Sequence, residues 1–159
     1  MTWEEHALSG RPMPPSSVGS TGLVGLGLPR RAFLVSIEEA RARLPEARRR
    51  VAVLQALHDE VAALAEEVEF LLEGAPPESI EVQEVADLLA STVEEWQQEV
   101  AELEQSGAHV LSLEPGRLVW YGVVDAHVVA FGWQQGEPGI EWYHELDEGF
   151  DARKPLIEA

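Results

Sequence analysis

The sequence predicts an α+β protein: a long, coiled-coil-like antiparallel helical hairpin followed by a small antiparallel four-stranded meander. Three observations carry that expectation. Apolar residues alternate steps of four and three through two segments of equal length, 46–72 and 79–105, which is the spacing of a helical seam. A break rich in proline and glycine separates the segments. After Gly107 the period changes to two, and valine and aromatic residues replace alanine and glutamate.

Composition bounds the rest. A chain of 159 residues fits one domain with a tail. Its 29 acidic and 11 basic residues leave a formal charge of -18, a field that repels phosphate backbones and anionic lipid, so no nucleic acid and no membrane partner is expected. The absence of cysteine excludes disulfides, thiolate metal sites and a cysteine nucleophile. No apolar run reaches the roughly 18 residues of a membrane span. The first residues lack a basic start followed by an apolar core, so the expected compartment is the cytoplasm.

Residues 1–31 contain Pro12, Pro14, Pro15, Ser16, Ser17 and five glycines without a sustained period, and are expected to form a disordered extension. The glycines from Gly22 to Gly27 lack the preceding strand and the following Lys-Ser or Lys-Thr step of a phosphate loop. Residues 32–107 form the hairpin in this reading. Ser36-Ile37-Glu38-Glu39 is a capping box that starts a short helix over 36–44. Pro45, which has no amide hydrogen, either kinks that helix or opens a second one, here placed at 46–72.

The first seam runs Ala47, Val51, Leu54, His58, Val61, Ala65, Val68 and Leu72; the second runs Val82, Ala86, Leu89, Val93, Trp96, Val100 and Leu103. Gly107 sits where a left-handed helix cap belongs. Arg41, Arg43, Arg48, Arg49 and Arg50 crowd one helix start, and Glu94, Glu95, Glu99, Glu102 and Glu104 crowd the other helix end. That charge pattern independently favours antiparallel pairing. Leu57, Leu64 and Leu71 make a second stripe that two helices are not expected to bury between themselves, so the expected assembly is a homodimer through the distal hairpin. His58 interrupts the apolar seam, where a polar residue more often sets register than binds a ligand.

Residues 108–159 form the β region, folded as one domain with the hairpin. His109–Leu113, Arg117–Val123, His127–Trp133 and Ile140–His144 read as strands, with connections short enough for antiparallel neighbours. His6 and His109 have no discernible partners. Trp96, Trp120, Trp133 and Trp142 are expected in the core.

Several motifs resemble a known family. They are Ser36-Ile37-Glu38-Glu39-Ala40 leading into Leu44-Pro45-Glu46, the strand beginning at Gly116, Trp133-Gln134-Gln135-Gly136-Glu137, and His144-Glu145-Leu146-Asp147-Glu148-Gly149-Phe150 with Arg153 and Pro155-Leu156. From about Phe33 to Leu156 the chain resembles the bacterial and plastid family called domain of unknown function 2203. The resemblance implies a helical hairpin with a small C-terminal β region, and implies no activity. The chain departs from the family pattern at Trp120-Tyr121-Gly122, where relatives tend to show Asp-Phe-Pro, and at Tyr143-His144, where they show Trp-His.

The polar C-terminal cluster admits three readings. His144, Glu145 and Asp147, with Glu137 or His127 from nearby turns, supply ligand types for a divalent metal in a hydrolase. Alternatively, His144 and Glu145 tie the C-terminal segment to the hairpin while Arg153 neutralises Asp147 or Glu148. In the third, Arg153 beside Trp133 and Trp142 clamps an anionic or flat ligand, with His144, Glu145 and Glu137 around it. These readings leave two function classes: a cytoplasmic binding or interaction protein with a self-associating hairpin and a ligand-engaging cluster, or a metal-dependent hydrolase.

Overall fold

The computed structural model describes Leu28, Pro29 and residues 31–157. Helix α1 spans Ile37–Leu72 and α2 spans Ile80–Gln105. Strands β1 (His109–Leu113), β2 (Gly116–Val124), β3 (His127–Gln134), β4 (Trp142–Glu145) and β5 (Lys154–Pro155) form one antiparallel sheet in chain order. A 3-10 turn over Phe150–Ala152 lies between the last two strands. The extension expected over residues 1–31 falls outside the described residues, apart from three positions. Of these, Leu28 is buried and Arg31 lies 3.7 Å from Glu104.

The capping box at Ser36 forms: its hydroxyl accepts from the Glu39 amide at 3.0 Å, and the Glu39 carboxylate accepts from the Ser36 amide at 2.8 Å. Pro45 does not interrupt the helix that this cap starts. The short helix expected over 36–44 and the helix expected from 46 are a single helix of 36 residues. Proline removes one helical hydrogen bond, but Ala40, Leu44 and Ala47 on either side of it are all buried against the protein core. That packing carries the helix across.

The hairpin is antiparallel as the charges require. Arg50 pairs with Glu99 at 2.8 Å and with Glu102 at 3.7 Å across the two helices. Arg43 donates to the Ser106 carbonyl at 2.9 Å, at the negative end of α2. Gly107, with φ of 93°, closes that end: the Gly107 amide donates to Glu104 and the Ala108 amide to Leu103, both at 3.0 Å.

Ala47, Val51, Leu54 and Val61 are buried as the seam predicts, but Leu57 and Leu64 are buried as well. The stripe expected outside the hairpin is therefore largely inside it. One face of the sheet packs on the helices through Val110, Leu118, Trp120, Val129, Phe131 and Trp133. The shared core reaches along the hairpin as far as Leu57 and Trp96. Beyond it, Val61, Leu64, Val82 and Thr92 are still buried. Since 36 residues of helix extend about 54 Å and the nine residues of β2, the longest strand, only about 30 Å, the sheet braces the proximal part of the hairpin and leaves the distal part projecting.

Four expected strands become five because β5, two residues long, carries no readable period. Ile140 precedes β4 and is buried in the shared core, where its carbonyl accepts from Arg41 Nε at 3.1 Å. At Gly122 the strand runs so close to its neighbours that a Cβ would sit 2.3 Å from the Phe131 ring and 2.4 Å from the Val35 carbonyl oxygen. Asp125 and Ala126 join β2 to β3 with φ of 51° and 68°, the backbone of a tight hairpin turn in which glycine is the favoured second residue.

Candidate functional site

The sheet face turned away from the helices gathers the polar C-terminal cluster. Alternation places Arg117, Val119 and Tyr121 of β2 on that face. Antiparallel register sets Val119 opposite His109 of β1 and Gly132 of β3, and Ala130 opposite both Tyr121 and His144. Small residues at the centre leave a seat, and Phe150 fills it. A Cβ on Gly132 would lie 2.9 Å from the Phe150 ring, and Phe150 packs on Val119 and Ala130.

Arg153 and Arg117 stack on Phe150, at 4.2 Å and 4.8 Å from its centroid, and Arg153 also lies 5.6 Å from the Trp142 ring. Arg153 binds Glu137 through two parallel bonds of 3.0 Å and 2.8 Å, the forked geometry in which arginine surpasses lysine. Arg117 donates to Gln134 at 2.9 Å and lies 3.8 Å from Asp151. Glu137 also accepts from the Gln134 amide at 2.9 Å, and its own carbonyl accepts from the Trp133 indole at 3.0 Å. Burial pushes the Glu137 carboxyl up, but the Arg153 fork, the Gln134 amide and the charges of Arg153 and Arg117 outweigh it, and the net shift is downward.

Two histidines flank this clasp. His144 Nδ1 donates to the Glu145 carbonyl at 2.9 Å, and its ring meets Phe150 edge-on at 6.2 Å. His109 packs against Tyr121 with ring centroids 5.4 Å apart. Burial drives the His109 imidazole down to about 4 and the Tyr121 phenol up to about 12, because each charged form would lose its hydration. Nε2 of both histidines is buried without a hydrogen-bond partner.

This arrangement corrects several expectations. His144 is buried on the outer face, Glu145 lies beside it on an adjacent position of β4, and Asp147 is exposed beyond the strand. Strand alternation sends the first two to opposite faces. Among the described residues no three histidine or carboxylate side chains are grouped to hold a metal ion, so the divalent-metal set His144, Glu145 and Asp147 does not assemble. Arg153 pairs with Glu137 rather than with Asp147 or Glu148; Lys154 approaches Glu145 and Glu148 instead, at 3.7 Å and 3.8 Å. Trp133 lies in the core shared with the helices, fully buried, whereas Trp142 stands on the outer face beside Arg153. The two tryptophans therefore do not frame one slot.

A family model described as "Uncharacterized conserved protein (DUF2203)" matches residues 33–156. The chain belongs to the DUF2203 family. No curated protein and no solved structure matches it. The matched span runs from just before the capping box of this DUF2203 protein to the residue after β5, and so contains both the hairpin and the clasp.

Sequence reasoning missed Arg117 and Tyr121 as members of this face, and it named His109 and Phe150 without giving them this role. Alternation along β2 was the available signal for the first two; Phe150, in a turn three residues long, stood out only as part of the C-terminal motif. Of the hairpin's apolar tip it named Leu71 and Leu72 but not Phe70, Ile80 or Leu88. Phe70 is 71% exposed, Ile80 69%, Leu88 50% and Leu72 42%. An open groove of about 460 Å³ lies there, lined by Phe70, Leu71, Glu73, Gly74, Ala75 and Glu81. Among the described residues no helix is long and apolar enough to cross a membrane.

Proposed function

We propose that this DUF2203 protein is a cytoplasmic interaction protein that docks a partner on the distal part of its hairpin, with the sheet and the Phe150–Arg153 clasp serving as the brace. One contrast supports the reading. The arginines of the clasp already hold carboxylates and an aromatic ring of their own chain, whereas Phe70, Leu72, Ile80 and Leu88 present large apolar side chains to water. Phe70 also lines the open groove at the tip, and an apolar groove of this kind marks an interaction surface.

The homodimer expected from Leu57, Leu64 and Leu71 loses most of its basis, since the first two are buried within one chain. Its remaining route, tip against tip, brings like charges together, because residues 59–95 contain twelve acidic residues and no lysine or arginine. A different partner therefore suits the surface better than a second copy. A small ligand at Trp142 and Arg153 has to compete with Glu137 for the guanidinium, which makes the outer face the weaker candidate.

A photo-crosslinking amino acid placed at Ile80, and separately at the similarly exposed Val123 on the sheet, tests the reading in cells. Discrete adducts at position 80 and none at 123 are expected. Equal labelling at both positions, or none at either, overturns it.

A further inference from the structure

Resting on that docking reading, we infer that the partner is a cationic amphipathic helix, whose apolar side chains enter the tip groove while its lysines or arginines face the groove's carboxylates. The groove itself specifies both halves of this match. Phe70, Leu71 and Ala75 supply an apolar lining between the ends of α1 and α2, and Glu73 and Glu81 line the groove with them. An amphipathic helix meets such a surface with anchors spaced three and four residues apart.

The surroundings extend the charge pattern well beyond the groove. All twelve acidic residues from Asp59 to Glu95 are exposed. Among the described residues, none from Glu60 to Glu95 forms an ion pair with a cation. No lysine or arginine occurs between Arg50 and Arg117. Among the described residues, the distal hairpin is therefore a one-sign field around the tip groove. Such a field accelerates encounter with a cationic partner, selects against anionic ones, and excludes phosphate-bearing surfaces. A second copy of the chain brings the same sign to the same place.

The test titrates the full chain with three synthetic peptides of about 18 residues, monitored by calorimetry or fluorescence anisotropy. The first is a leucine–lysine amphipathic helix, the second carries glutamate in place of lysine, and the third has the first peptide's composition in an order without an apolar face. The expected result is binding of the first peptide, at least about tenfold tighter than either control, weakening about tenfold or more between roughly 50 and 500 mM salt. Phe70→Ser with Ile80→Ser should weaken it about tenfold. Glu73→Gln with Glu81→Gln should flatten its salt dependence. Both pairs replace exposed side chains, and an unchanged far-ultraviolet circular dichroism spectrum checks that the hairpin persists.

Equal binding of the scrambled peptide, or indifference to Phe70→Ser with Ile80→Ser, overturns the inference. Preference for the glutamate peptide overturns the partner's charge and leaves the docking surface standing. Concentration-dependent self-association abolished by Ile80→Ser makes a second copy the occupant and overturns it in the same limited sense. Failure of all three peptides overturns the inference; joined with no adducts at position 80, it removes the docking reading too.

Discussion

The proximal and distal parts of the hairpin are the same two helices, built on the same seam, yet they meet different environments. Near the sheet, Val51, Leu54 and Leu103 are almost inaccessible, and Trp120, Phe131 and Trp133 close over them. Past Leu57 and Trp96 the third layer ends, and exposure climbs to 71% at Phe70. A pair of helices buries its own seam, but side chains beside the seam need another layer. The sheet supplies that layer to one end only.

Truncating large side chains in the two regions gives the sharpest way to break the comparison. Trp120→Ala or Trp133→Ala is expected to cost about 3–5 kcal/mol, whereas Phe70→Ala should stay within about 0.5 kcal/mol. Urea denaturation monitored by circular dichroism measures both; similar costs at the two ends would erase the contrast.

Acid should weaken the sheet end through His109. Its imidazole titrates near 4 when folded, against 6.5 ordinarily, so the unfolded chain binds the proton first as pH falls. Stability associated with the neutral, buried ring is therefore complete above about pH 6.5 and lost progressively toward pH 4, by roughly 3 kcal/mol in all. Glu137 acts lower: with its folded value depressed, its contribution holds above the usual carboxylate value of 4.5 and disappears as pH falls through the folded one. His109→Phe should flatten the melting-temperature profile between pH 4 and 6.5. An unchanged slope there would mean that the ring is not held neutral.

The clasp should contribute less than the tryptophan core. Arg153→Ala is expected to cost about 2 kcal/mol, and a double-mutant cycle with Glu137→Gln to give a coupling of about 1–2 kcal/mol, because the pair is charge-assisted but not wholly buried. Arg153→Lys should restore less than half of that loss, as it keeps the charge without the fork. Full rescue by lysine would leave only a point charge.

The smallest expected effect sits at the β2–β3 turn. Ala126 holds φ of 68°, so Ala126→Gly should stabilise the sheet by about 1 kcal/mol. Hydrogen exchange should slow in β2 and β3 while rates in the distal helices stay as they were. A uniform slowing along the hairpin would show that the two regions unfold as one unit.

Much of this architecture could be read directly from residues. The capping box at Ser36, the alternating seams, the glycine cap at Gly107 and the opposed Arg50 and Glu99 are local or near-local signals, and each appears where its chemistry places it. Pro45 was less transparent, because its local cost is visible in sequence while the packing of Ala40, Leu44 and Ala47 that offsets it is not. Of the candidate site, Arg153, Glu137 and Trp142 were singled out and do come together. Their pairing was mis-assigned because the nearer carboxylates, Asp147 and Glu148, lie on the turn that reverses the chain. His109 was left without a partner because Tyr121 is twelve residues away across a register that only the sheet defines.

By itself, the sequence determined what depends on neighbours a few residues apart: helix periods and caps, strand alternation, the acidic surface and the antiparallel sense of the hairpin. The tertiary structure decided which faces found a partner, seating Phe150 over Gly132, directing Arg153 to Glu137 and ending the sheet short of the hairpin tip. The physical reason is range. Backbone geometry and capping act within a turn or two, whereas burial and charge pairing depend on where distant segments come to rest.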